Sequence, residues 1–209
     1  MKGKLLVISG LSAAGKGTIA KELLSNNENF VLSISATTRE KRKNEVDGKD
    51  YFFVSVDKFE EMIKNNNLLE YAKYVNNYYG TPKDYVEREL ENGKNVILEI
   101  EMQGALKVKE IYDEAILVFF LPKDAKTQRE RLVNRGRENE EQIKERLKQT
   151  LIDAKYAKDY DYVLVNESLE PSVNDIKSII DGTYDKNKNI KNLEILDKIV
   201  KDIEEENYV

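Results

Sequence analysis

Between residues 10 and 18 the chain reads Gly-Leu-Ser-Ala-Ala-Gly-Lys-Gly-Thr, a glycine-spaced loop that carries one lysine. Gly10, Gly15 and Gly17 allow the backbone to close around an anion. The amides of Leu11, Ser12, Ala13 and Ala14 and the positive end of the next helix would then surround a phosphate, with Lys16 reaching its outer oxygens. A glycine turn that merely joined two elements would have no need of the lysine. Where the usual pattern places a Ser or Thr to touch Mg2+, this chain has Gly17, and the hydroxyl follows one residue later at Thr18. A second set of anion-binding candidates is Arg39 and Arg42 in Ser-Ala-Thr-Thr-Arg-Glu-Lys-Arg, and a third is Arg131, Arg135, Arg137 and Arg146 around a highly charged stretch. A guanidinium holds two phosphate oxygens at once, where lysine acts as a point charge. By themselves such arginines fit equally a solvated helix face paired with the abundant glutamates.

The chain has no histidine and no cysteine. That removes the commonest general base and metal ligand, the thiolate nucleophile, the disulfide and the thiolate metal cage. Chemistry is left to Lys, Arg, carboxylates and backbone amides, which suits phosphoryl transfer, a reaction carried by positioning and charge neutralisation. With 209 residues and a formal charge of −5, one compact unit with small appendages is expected. The acidic balance argues against bulk binding to nucleic acid or to an anionic membrane. No apolar run is long enough to span a bilayer and the N-terminal one is too brief for a signal peptide, so a cytoplasmic location is expected.

The elements that must position these residues alternate. Residues 4–9 and 95–101 are near-continuous apolar runs, as are 115–121 and 162–166, and such runs read as strands buried on both faces. Helical patterns lie between them, at about 17–25, 83–91, 102–112, 124–134, from near 140, and at about 171–182. This order predicts an α/β fold, a doubly wound parallel sheet with right-handed crossovers. Residues 35–81 break the alternation with short strand candidates (51–56, 71–75, 78–80) and a helix starting at Asp57 as its N-cap, and read as a small α+β insert. Residues 135–145 read as a mobile lid. The expected division is thus a core of 1–34 and 82–183 that includes the lid, the insert 35–81, and a helical extension 184–209. In the extension Leu193, Leu196, Val200 and Ile203 recur at helical spacing, which fits packing on the chain's own domain, a pairing face for a second subunit, or a frayed tail. A monomer and a homodimer are both open.

Ser-x-Thr-Thr-Arg-x-x-Arg at 35–42, Gly-Lys-Asp-Tyr-Phe-Phe-Val at 48–54, Leu-Leu-Glu-Tyr-Ala-Lys-Tyr-Val-Asn-Asn-Tyr-Tyr-Gly-Thr at 68–81 and Leu-Glu-Ile-Glu-Met-Gln-Gly-Ala at 98–105 follow the phosphate loop in this order. Over residues 4–183 the chain resembles guanylate kinase, a P-loop nucleoside monophosphate kinase that makes GDP from GMP with ATP. The resemblance implies that the loop from Gly10 to Thr18 and Asn166 bind ATP. It implies that Arg39, Arg42, Tyr51 and Tyr79 clamp the GMP phosphate. Glu70 falls where one carboxylate accepts guanine N1–H and the 2-amino group, with Ser35 and Thr81 supplying hydroxyls near the base. Adenine would set an acceptor against that carboxylate, a mismatch worth roughly 10⁴ in discrimination at sites built on such bonds. Glu101 is implied on the guanosine side, Glu99 in water-mediated contact with Mg2+, and Lys16, Arg131, Arg135 and Arg146 at the transferred phosphoryl group; Arg137 matches no family position and reads as a surface residue. The sequence departs from the family at Leu11, Ala13 and Lys41, where Pro, Gly and Pro are common, and in having Glu at 99 and 101 where Asp is frequent. Alternation along the strand would put Glu99 and Glu101 on one face near the loop. Kinases for another nucleoside monophosphate such as AMP, and non-catalytic guanylate kinase-like modules, are the competing readings.

Overall fold

The computed structural model describes residues 2–25, 27–74, 76–136 and 138–205, so Arg137 lies outside the described residues. In chain order the elements are β1 (Leu5–Gly10), α1 (Lys16–Ser25), β2 (Phe30–Leu32), β3 (Ala36–Thr37), β4 (Phe52–Phe53), α2 (Val56–Lys64), β5 (Leu68–Tyr74), β6 (Asn77–Pro82), α3 (Lys83–Glu91), β7 (Asn95–Glu99), α4 (Met102–Ile111), β8 (Ile116–Pro122), α5 (Ala125–Arg135), α6 (Glu140–Asp153), a 3-10 helix (Ala154–Asp159), β9 (Tyr162–Asn166), α7 (Leu169–Asp181) and α8 (Asn187–Glu205). The expected α/β class holds. A parallel central sheet has the strand order β2-β7-β1-β8-β9, and a second sheet has the order β4-β3-β6-β5. Every residue of β1 is buried, which is why its run carries no polar alternation. By contacts the chain divides into two compact units, residues 1–7 with 27–116, and residues 8–26 with 117–209.

In the first unit β2 and β7 pair in parallel from Phe30 against Asn95 to Leu32 against Ile97. The second sheet belongs wholly to this unit. Its apolar face closes over Ala36, Phe59 and Leu68, with Phe52, Val54, Met62, Ile63 and Tyr78 around them, and the Phe59 and Tyr78 rings stack at 5.2 Å. Helix α2 supplies Phe59, and its cap lies two residues earlier than the sequence suggested. Ser55, not Asp57, is its N-cap, because the Ser55 hydroxyl accepts the Lys58 amide while Asp57 sits in the first turn, where its charge favours the helix dipole. The strand expected over 51–56 is correspondingly short, Phe52–Phe53. Strand β7 also ends early, at Glu99. Glu101 occupies the N-cap position of α4, without a side-chain capping bond, rather than extending the strand, so the alternation that would align Glu99 with Glu101 does not continue.

In the second unit β8 and β9 pair in parallel from Val118 against Tyr162 to Pro122 against Asn166. Helix α5 is capped by Asp124, whose carboxylate accepts the Thr127 amide, and ends at Gly136 in the left-handed region. Helix α6 starts on a capping box in which Asn139 and Gln142 accept each other's backbone amides. Pro171 lies in the first turn of α7, where its missing N–H costs no intrahelical bond. Helix α8 packs on β9, α5 and α6 of its own unit through Leu196, Ile199 and Ile203, while Leu193 and Val200 of the expected stripe are only half-buried. It also covers a sheet edge. Asn189 accepts the Val163 amide and Asn192 donates to the Val163 carbonyl, so both backbone groups of that edge residue are satisfied by side chains.

Candidate active site

The phosphate loop belongs to the second unit and its shape is set by backbone requirements. Gly10, Ala13 and Gly15 have φ of 140°, 60° and 87°. A β-carbon at Gly10 would lie 2.2 Å from the Phe120 carbonyl, and one at Gly15 would lie 2.3 Å from Asn166 Nδ2, so both positions demand glycine. The Leu11 amide donates to Phe120 O, and Asn166 Nδ2 donates to Ala14 O at 2.8 Å, which clamps the loop between the ends of β8 and β9. Lys16 lies across the turn, its ammonium 2.9 Å from Gly10 O and 3.1 Å from Leu11 O. Gly17 offers no side chain, and Thr18 is exposed in the first turn of α1.

Three of the sequence-predicted residues surround this loop from α5, α6 and β9. Arg131 donates to Asn166 O at 2.9 Å and to Ala13 O at 3.4 Å. Burial, and beyond it the like charge of Arg135, push its pKa down, though a guanidinium stays charged throughout the accessible range. Arg146 reaches Ser12 Oγ at 3.3 Å. Arg135 is exposed and makes no hydrogen bond among the described residues. With Ala13, Gly15, Thr18, Asn166 and Arg131 it borders a cleft of about 420 Å3 that Glu167, Ser168 and Leu169 also line, within the size range of small-ligand sites. Sequence reasoning missed Gln128. Fully buried, it donates to Ser12 O at 3.0 Å and to Thr150 Oγ1 at 2.8 Å, a link that only long-range contact reveals. Glu138, hidden in the charged run, pairs with Arg146 at 3.0 Å.

In the first unit, registers bring four of the predicted residues into one row. Ala36 pairs with Phe52 on β4 and with Gly80 on β6, and Tyr71 on β5 pairs with Gly80. One residue further along, Tyr51, Ser35, Thr81 and Glu70 lie side by side across the sheet; the Phe52 amide bonds to Ser35 O, and β5 carries a register shift beside Glu70. Thr81, buried, donates its hydroxyl to Glu70 Oε1 at 2.7 Å. A β-carbon at Gly104 of α4 would come within 3.3 Å of the other oxygen, Oε2. Burial raises the Glu70 pKa, against the smaller opposing effects of Thr81 and Lys107.

Arg39 is held on three sides. Glu45 takes it bidentately at 2.7 and 3.0 Å, the Glu40 carbonyl accepts at 2.7 Å, and the guanidinium stands over the Tyr51 and Phe53 rings at 5.5 and 5.7 Å. Tyr79 meets Tyr51 edge-on at 6.1 Å. The second Glu45 oxygen also accepts the Arg42 amide at 2.8 Å, so this carboxylate organises the loop; it raises the Arg39 pKa and has its own lowered, by Arg39 first and then Arg42. Sequence reasoning did not single out Glu45. The Arg42 side chain is exposed, as are Glu99 and Glu101. Arg39, Tyr51, Tyr79, Glu70, Thr81 and Ser35 are thus arranged around one sheet, whereas Arg42, Glu99 and Glu101 are placed at its periphery or beyond it. No group of three or more metal-ligating side chains occurs among the described residues.

The guanylate kinase family profile matches residues 2–183. The chain belongs to the guanylate kinase family. A guanylate kinase of Clostridioides difficile strain 630 is 46% identical over 202 residues, covering 97% of this chain and 98% of that protein, a span that runs past residue 183 into α8. One from Clostridium tetani is 47% identical over 197 residues, 94% of each chain. Among solved structures, the guanylate kinase of Anaplasma phagocytophilum superposes with a TM-score of 0.64 at 32% identity, over 90% of this chain and 89% of that one.

Proposed function

We propose that this member of the guanylate kinase family transfers the terminal phosphoryl group of ATP to GMP, giving ADP and GDP. The observation that carries the base assignment is Glu70. One of its oxygens is turned toward Thr81 and the other is flanked by the bare Gly104, so it offers a desolvated acceptor surface to two adjacent donors, as guanine presents. Adenine would leave the carboxylate facing an acceptor. The GMP phosphate falls to Arg39, fixed by Glu45 and the aromatic rings, with Arg42, Tyr51 and Tyr79; Ser35 and Glu101 belong to the nucleoside side. ATP falls to the loop from Gly10 to Thr18, with its purine beside Asn166.

The acceptor oxygen is already ionised at neutral pH, so no general base is required, in keeping with a chain that has no histidine. One P–O bond forms from the GMP phosphate to the γ-phosphorus as the bond to the ADP oxygen breaks. Lys16, Arg131, Arg135 and Arg146 offset the charge spread over the moving group, while Arg39 holds the attacking phosphate in line. Mg2+ keeps most of its water and binds through substrate phosphates, so a site with one exposed carboxylate, Glu99, fits it; when bound it neutralises phosphate charge. No helix among the described residues is long and apolar enough to cross a membrane, and a cytoplasmic location belongs to the same proposal. The insert 35–81 as GMP-binding region and the segment near 135–145 as lid are the working division of the enzyme. Since the buried face of α8 is spent within its own unit, that face is not assigned to a second subunit.

The test is ADP release from ATP and Mg2+ with GMP, dGMP or AMP as acceptor. GMP is expected to be preferred to AMP by a factor on the order of 10⁴. AMP as the better acceptor would overturn the role of Glu70, and silence with all three would favour a binding module.

A further inference from the structure

We propose that Glu138 is a positioning residue that aims the guanidinium of Arg146 at the phosphate loop. The inference rests on the reading of Arg146 as a group that neutralises the transferred phosphoryl, and deepens it. Glu138 stands in the short connection between Gly136 and the first turn of α6. Its Oε1 forms an ion pair with Arg146 Nε at 3.0 Å, and its side chain is only 9% exposed while that of Arg146 is 48% exposed. Arg146 Nη1 donates to Ser12 Oγ at 3.3 Å, so the guanidinium is held between the Glu138 carboxylate and the loop hydroxyl.

The backbone of Arg146 is tied to the same loop residue by a second path. Its carbonyl accepts the Thr150 hydroxyl at 3.3 Å, Thr150 Oγ1 accepts from Gln128 at 2.8 Å, and the same amide nitrogen of Gln128 donates to Ser12 O at 3.0 Å. Ser12, Gln128, Thr150 and Arg146 therefore form a closed ring of hydrogen bonds. That ring fixes where the Arg146 main chain sits; it does not fix the rotation of the long side chain. Glu138 does so. Without it a half-exposed arginine spreads over many rotamers and must be ordered anew in each catalytic cycle. The second carboxylate oxygen, Oε2, is buried with no hydrogen-bond partner among the described residues, an arrangement that works against stability. A residue kept for stability alone would not leave it so.

The experiment is a double-mutant cycle read in steady-state kinetics and thermal unfolding of the whole enzyme. Glu138→Ala should lower kcat about tenfold with KM for GMP unchanged and without a fall in Tm. Glu138→Gln, which keeps an acceptor for Nε, should recover part of the rate. In an Arg146→Ala background Glu138→Ala should have no further effect. An equal loss from Glu138→Ala in both backgrounds, or unchanged kcat in the single variant while Arg146→Ala is impaired, overturns the role of Glu138 alone. Full activity in Arg146→Ala overturns the reading of Arg146, and this inference with it. Should Glu138→Ala not fold, Glu138→Gln carries the same cycle, since it preserves the volume of the buried side chain.

Discussion

In the loop from Gly10 to Thr18 the groups offered to an anion are backbone amides, and what holds them in place is glycine geometry and side-chain clamps on the loop carbonyls, Asn166 on Ala14 and Gln128 on Ser12. Around the sheet of residues 35–81 the groups offered are side chains, and each is held by another side chain: Arg39 by Glu45, Glu70 by Thr81. The contrast has a physical origin. A phosphate accepts hydrogen bonds in every direction and is served by any ring of N–H groups, whereas telling guanine from adenine takes a specific acceptor at a fixed angle, which the backbone cannot place at will. A backbone site depends on a few conformations, and a side-chain site on pairs of partners.

The sharpest way to break that comparison is at Lys16, the charged side chain within the loop itself. Lys16→Ala is expected to lower turnover by roughly 10³-fold or more, because the amides remain but the positive charge that follows the moving phosphoryl is lost. Near-normal turnover in a folded Lys16→Ala enzyme would show that the amide cradle suffices and that Lys16 has been wrongly assigned.

Arg39→Lys sharpens the other half. The ammonium keeps the charge but cannot match Glu45 with two parallel bonds or present a planar edge to a phosphate. KM for GMP should rise about 10- to 100-fold, with KM for ATP unchanged, since the pair Arg39–Glu45 belongs to the unit that carries the residues proposed for GMP. A KM within twofold of the wild type would mean that charge alone is recognised there, and that the side-chain half works as permissively as the loop.

What could be read in the sequence follows the same line. Gly10 and Gly15 announce their site because positive φ demands glycine, and the strands and helices announce themselves by apolar period. Glu45 and Glu138 announce nothing: each lies in a run of charges that looks like solvated surface, and only the fold brings their carboxylates onto Arg39 and Arg146. Asn189 and Asn192 likewise read as tail composition until β9 lies beside them. Asp57 reads as the cap of α2, but a single local hydrogen bond, from the Lys58 amide to the Ser55 hydroxyl, makes Ser55 the cap. Glu101 was read as a strand residue because the apolar run continues through Ile100, but α4 begins at Met102 and turns the chain away. Spacing reports backbone needs well, and side-chain partnerships separated in sequence hardly at all.

The smallest effect is also the one that separates the two glutamates of the side-chain half. Burial raises the Glu70 pKa, and guanine must find that carboxylate ionised to donate two hydrogens to it. As the pH falls through the raised value, the protonated fraction grows and KM for GMP should climb by up to tenfold per pH unit, recovering above it. The GMP phosphate titrates as well, with a second pKa near 6, so the comparison is with Glu70→Gln, which keeps that limb and loses the other. Stability must move the opposite way. A carboxyl whose folded-state pKa lies above its unfolded one favours folding when protonated, so its contribution is present at low pH and is lost as pH rises through the folded value. Glu45, with its pKa lowered by Arg39, contributes in the reverse sense, above its unfolded pKa and lost on acidification through the folded one. On acidification Glu70 therefore favours the fold while weakening GMP binding, and Glu45 weakens the fold. Parallel pH profiles for GMP affinity in the wild type and Glu70→Gln would remove Glu70 from the base site, and leave the arginine clamp as all that recognises GMP in that unit.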